Sequence, residues 1–135
     1  MITRLNPDVG SLDPAYLDRI GLSAVVVHAG VAHIQGVTPM TGGRDGWQVV
    51  GVGSMADQVR HVLEVIDRLL ASIGGDRSDV LVLTVYTTDQ RAFSAALPVL
   101  TEWTGEHRPA VTAVQVAGLA APEQLVEISA VARAR

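Results

Sequence analysis

One carboxylate stands where the surrounding pattern asks for hydrocarbon. Glu127 lies between Val126 and Ile128 in the run from Leu125 to Ala132. Alternation there sends Val126, Ile128 and Ala130 to one side and Glu127 and Ser129 to the other. On a sheet otherwise rich in Val and Ala, such a group can act as general acid or base, or hold a water. It reads equally as the solvent-facing charge that an edge strand needs. Four histidines (His28, His33, His61, His107) offer further chemistry, but none pairs with another at helical spacing and no H-E-x-x-H occurs, so no metal site is expected. Asp57 and His61 stand one helical turn apart, a spacing that either tunes an imidazole or makes a solvated surface contact.

Gly51-Val52-Gly53-Ser54-Met55-Ala56 fits the dinucleotide fingerprint at the start of a helix. The preceding strand is short, however, and the chain has no second βαβ half to complete a crevice. The acidic residue closing the next strand is Asp89, well beyond the usual spacing of about 20 residues. A flexible entry into a capped helix is the simpler reading. The chain has no Cys, which excludes disulfides, zinc–thiolate sites and thiol nucleophiles. All ten basic residues are Arg, so neither a Schiff-base lysine nor a P-loop lysine exists. No G-x-S-x-G elbow is present. No organic cofactor or metal is called for.

The elements that must position these groups fit one domain of 135 residues. Hydrophobic residues make up 48% and aromatics only 4%, so Val, Ala, Leu and Ile must fill the core, a composition suited to sheets with closely packed helices. The net charge is −4 with both signs scattered, which gives a nucleic-acid backbone no basic stripe to follow. The opening residues lack the apolar stretch of a secretory signal. The longest apolar run, around Ala24 to Ile34, is too short and too interrupted to span a bilayer. A cytoplasmic location without membrane contact is the expectation.

Residues 1–22, dotted with Pro7, Gly10, Asp13, Pro14 and Gly21, read as a loosely structured N-terminal arm, and 23–135 as a single domain. Two β-rich runs flanking Ala29-Gly30 predict a hairpin. Residues 37–46 read as a loop and Trp47–Val50 as a short strand. The i, i+3/i+4, i+7 spacing predicts a helix from Met55 to Ile73, capped by Ser54 and released by Gly74-Gly75. Val80–Tyr86 predicts a strand. A second helix follows a cap at Thr88 or Asp89, with Pro98 expected to kink or break it. Strands over Val111–Val116 and Leu125–Ala132 complete the order. That order favours a mixed sheet with both helices on one face, leaving an apolar open face that a second copy would cover.

From about Ser23 to Ala132 the chain resembles the YjgF/RidA family, the reactive-intermediate deaminases also known as endoribonuclease L-PSP-like proteins. The matching stretches are His33-Ile34-Gln35-Gly36-Val37-Thr38-Pro39, Gln58 with its long helix, Val80 to Asp89, Phe93, Glu106-His107-Arg108-Pro109-Ala110, Val114 to Leu119, and Leu125 to Ala132. The resemblance implies an α+β, chorismate-mutase-like fold and a homotrimer whose clefts between subunits hold a small-molecule ligand. It also implies hydrolysis of imines and enamines, with a last-strand Glu, here Glu127, positioning water. In the family an Arg after the Pro-Ala pair clamps the substrate carboxylate.

Here the departures matter. The clamp position is Val111, the aromatic before the hairpin is Leu22, the S-G-Q serine is Gln35, and the helix Asn is Leu97; Gly36, Thr112 and Glu127 are kept. An amino-acid-derived imine would bury an unpaired carboxylate in such a pocket. The expectation is therefore a divergent member acting on a neutral or weakly charged imine, enamine or carbonyl metabolite, outside standard 2-iminoacid deamination. Glu127 is the catalytic candidate, and Leu22, Gln35, Gly36, Leu97, Val111 and Thr112 are the binding candidates. Arg44 or Arg108 could supply a displaced cation. The alternative is a non-catalytic trimer binding a metabolite or a partner; ribonuclease activity ranks last for want of a basic groove.

Overall fold

The computed structural model describes residues 1–135. Two sheets and three α-helices follow from local signals that are mostly visible in the sequence. Strands β2 (Val25–His28) and β3 (Val31–Val37) form the expected hairpin, with Ala29 (φ 49°) and Gly30 (φ 78°) in the left-handed conformations of a two-residue turn. Helix α2 (Met55–Ser72) starts where the Ser54 side chain accepts from the Asp57 N–H. Its buried stripe includes Val59, Val62, Leu63, Ile66, Leu69 and Leu70. Helix α3 (Gln90–Thr104) is capped by Asp89 and continues past Pro98. The predicted early break does not occur: Pro98 and Ser94 are both exposed, so the carbonyl that loses its donor faces water.

The arm is more ordered than its composition suggested. Thr3–Leu5 forms β1, which adds to β2, and Pro14–Ile20 forms α1 between an Asp13 cap and Gly21 at φ 78°. The stretch read as a loop contains β4 (Met40–Gly43), paired with β5 (Gly46–Val49) in a separate hairpin.

The main sheet has six strands in the order β1-β2-β3-β8-β6-β7, where β6 is Val80–Thr87, β7 is Ala110–Gln115 and β8 is Val126–Arg133. Only the β6–β7 pair is parallel, as the α3 crossover requires. Both long helices cover one face, where Val25, Ala32, Ile34, Leu83, Val85, Ile128 and Ala130 join the core. Residues 124 and 58 tie this core to the loop before β8. The fully buried Gln58 side chain donates to Gly51 O and Glu123 O and accepts from the Leu125 N–H, as an amide on an apolar stripe must.

Two expectations need correction. Strand β8 lies between β3 and β6, so Glu127 is not an edge-strand charge. The open face is mixed rather than apolar. Register places Thr84, Tyr86, Thr112, Glu127, Ser129 and His33 there beside Val26, Val82, Val114 and Val131. Alternation puts Leu83, Val85, Ile128 and Ala130 on the helix side and turns Thr84, Tyr86, Glu127 and Ser129 outward. No helix is long and apolar enough to cross a membrane.

Candidate active site

Glu127 stands half-buried on the open face, directly across from Tyr86 on β6. On its other flank the register of β3 against β8 slips between Ile34 and Val37, a bulge that takes Gln35 and Gly36 out of simple pairing. There Gly36 meets Glu127. A Cβ on Gly36 would collide with Glu127 Oε2 and come within 2.9 Å of its carboxyl carbon. The missing side chain is thus the space that the carboxylate occupies.

The carboxylate is also aimed. Gln124, 1% exposed, accepts from the Ala120 N–H through Oε1. Its Nε2 donates to Val126 O and to Glu127 Oε1, the latter at 3.3 Å. A buried amide with every group engaged holds one rotamer, so Gln124 fixes the acid that it touches. Sequence reading passed over Gln124, whose loop position gave no periodic signal. Gln58, which fixes the same loop, was detectable as a polar residue on the buried stripe of α2.

The remaining candidates are dispersed within one protomer. Gln35 is half-buried beside Gly36 and donates its N–H to Ala24 O. Thr112 shares the open face with Glu127 but lies two strands away, opposite Thr84. Val111, 44% exposed on the terminal strand β7, pairs with buried Leu83 and so points to the helix side of the sheet. Leu97 is exposed on α3, and Leu22 is exposed just after α1. Glu127 with Gly36 therefore forms one half of a site, and Val111 belongs to a different surface of the same chain. Arg44 and Arg108 are exposed, the latter with φ 48° just before Pro109.

The histidines take no part in this corner. Asp57 pairs with Arg60 at 2.8 Å rather than with His61. The His61 Nε2 is buried without a partner. Burial holds the His61 pKa below its ordinary value, Glu64 opposes that effect and Arg68 adds to it. No group of three or more His, Asp or Glu is arranged to hold a metal ion.

Residues 17–134 match the profile of the family described as Endoribonuclease L-PSP. A 3-aminoacrylate deaminase RutC of Acinetobacter baylyi is 38% identical over 102 residues, 76% of this chain and 78% of that protein. A RutC family protein of Pyrococcus horikoshii is 40% identical over 80 residues, 59% of this chain and 63% of its own length. The crystal structure of a YjgF/YER057c/UK114 family member from Mycobacterium tuberculosis superposes with a TM-score of 0.77 at 26% identity, covering 98% of this chain and 99% of that one. The chain belongs to the YjgF/RidA family.

Proposed function

We propose that this protein hydrolyses a neutral or weakly charged imine or enamine in a cleft formed where the β7 edge of one protomer meets the open sheet face of another. The observation that carries the reading is the Glu127 carboxylate, set into the space left by Gly36 and aimed by buried Gln124. A homotrimer in which the β7 edge of one protomer lies against the open face of the next would bring the neighbour's Val111 and Thr112, on either side of that strand, and Leu97 toward this corner, and a closed point group needs no further partner.

In the reaction, Glu127 takes a proton from a water as the water oxygen bonds to the C=N carbon, and passes that proton to the nitrogen. The resulting carbinolamine then loses its C–N bond electrons to nitrogen, which departs as ammonia while the hydroxyl oxygen forms the C=O bond and its proton returns through Glu127. The balance is R₂C=NH + H₂O → R₂C=O + NH₃. The Gly36 backbone N–H is the candidate donor to developing charge. Val111 supplies no cation, so a substrate carboxylate would enter unpaired, which separates this chain from activity on 2-imino acids.

Ammonia release from freshly prepared acetone imine tests the reading. Enzyme-dependent release that falls by about 10²- to 10⁴-fold in Glu127→Gln supports it. Release equal to the uncatalysed rate, or undiminished in the variant, contradicts it. A second reading, metabolite binding without turnover, is favoured by the mixed apolar and hydroxyl lining of the open face around Val114, Thr84 and Thr112.

A further inference from the structure

One cleft takes no part in the reaction proposed for Glu127. Its volume is about 410 Å³, and apart from Thr38 its walls are hydrophobic, among them Leu12, Tyr16, Met40, Trp47 and Ala121. A second hollow of about 500 Å³ shares Met40, Trp47 and Ala121 with it and continues past Val49 and Val52.

Chain connections link it to the Glu127 corner. Thr38 follows Gly36 by two residues, just beyond the last residue of β3. Ala120, also in the cleft wall, donates its N–H to Gln124, the residue that holds Glu127. The cleft is also preformed. The Asp13 N–H donates to Gly42 O at 2.9 Å and the Ser11 hydroxyl to Met40 O at 3.1 Å, clamping the β4–β5 hairpin against the segment that enters α1. The Val50 N–H donates to Pro39 O at 2.7 Å. Tyr16 and Trp47 meet edge to face with centroids 5.0 Å apart.

Trp47 remains 43% exposed despite that contact, an aromatic surface standing at the mouth of an apolar space. The Thr38 Oγ1 is buried with no hydrogen-bond partner, so it is closed off from the cleft and leaves the lining effectively apolar. The one charged residue lining the pair of hollows is Glu123, which opposes an anionic ligand.

We infer that this cleft receives an apolar ring or branched hydrocarbon group of the substrate, so that the substrate class is a ketimine or enamine carrying one uncharged hydrophobic substituent. The inference rests on the imine reading above for its chemistry, and on the cleft alone for its specificity. Removing one ring from water into a preformed hydrophobic pocket discriminates by roughly 10- to 100-fold.

The test compares the N-unsubstituted imines of cyclohexyl methyl ketone and acetone as substrates, and the two ketones as ligands followed by isothermal titration calorimetry. The expected result is a preference for the cyclohexyl imine of about 10- to 100-fold in kcat/KM, matched by tighter binding of the cyclohexyl ketone. The preference should collapse to about twofold in Ala121→Trp, which fills the cleft from a half-exposed loop, and in Trp47→Ala, which removes a wall from an exposed hairpin. Equal treatment of the two probes by the wild type, or a preference untouched by both variants, overturns the inference; the first result includes a cleft plugged by a neighbouring copy. If neither imine is hydrolysed but the cyclohexyl ketone still binds selectively and loses that selectivity in the variants, the catalytic reading fails and the cleft assignment stands.

Discussion

Replacing Gly36 by Ala should separate stability from activity. The Gly36 backbone is outside the left-handed region, so alanine adopts it without strain. The added methyl would lie 2.9 Å from the Glu127 carboxyl carbon and 3.2 Å from its Cγ. Ordinary carbon contacts fall at about 3.5–4.0 Å, so the carboxylate must withdraw by roughly 1 Å. Withdrawal sacrifices the Gln124–Glu127 hydrogen bond, already long at 3.3 Å and worth about 1 kcal/mol. A strained Glu127 rotamer adds about 0.5–1.5 kcal/mol. Against this, alanine in a strand gains roughly 0.5–1 kcal/mol over glycine. The net change is about 1 kcal/mol, a Tm shift near 4 °C for a chain of this size. Catalysis is affected far more, because a 1 Å misplacement of a reacting group costs on the order of 10²-fold. Thermal melts followed by circular dichroism, together with ammonia release from acetone imine, give both numbers. Full activity in a folded Gly36→Ala protein would refute the argument that Glu127 needs this space. A loss of more than about 3 kcal/mol would refute the ledger.

Two further outcomes follow from the geometry. Val111→Arg restores a bidentate carboxylate partner and should raise the rate on the imine of pyruvate relative to acetone imine by about 10- to 100-fold, in line with the worth of charge-assisted hydrogen bonds; an unchanged ratio would show that position 111 does not face the substrate. At the other end of the sheet Asp79, 2% exposed, receives bonds from the Asp76 N–H and the Arg133 and Arg135 guanidinium groups. Burial alone would raise its pKa, but these donors outweigh it and hold the carboxyl at about 2, below the ordinary 3.8. The unfolded chain therefore binds more protons between pH 4 and 2, so this contribution is complete above pH 4 and drains away as pH falls toward 2. Acid melts of wild type should steepen in that window relative to Asp79→Asn, and parallel curves would show that the cluster contributes nothing.

The parts of the fold that were legible in the sequence are those with repeated periodic signals. Helix α2 carries its stripe over five turns, β8 alternates along nearly its whole length, and β6 is a near-continuous apolar run of strand length. The three-residue β1 and seven-residue α1 are too short to establish a period, although Asp13-Pro14 and Gly21 mark the helix ends. The β4–β5 hairpin was hidden because its glycines and threonines look the same in a loop. Strand order is a non-local property, which is why β8 could be mistaken for an edge. For the site, alternation singled out Glu127, but its contact with Gly36 arises from a bulge between strands distant in sequence, and its restraint by Gln124 from a loop with no pattern.

The central claim is that Glu127 of one protomer and the Val111 edge of another complete a single site. Mixing two inactive variants tests it most directly: Glu127→Gln, and Val111→Trp, which would block the neighbour's half. After co-refolding in equal amounts, random assembly leaves about one quarter of the sites with both halves intact, and ammonia release should recover to about that fraction of wild type. A mixture no more active than its parents would contradict the shared site.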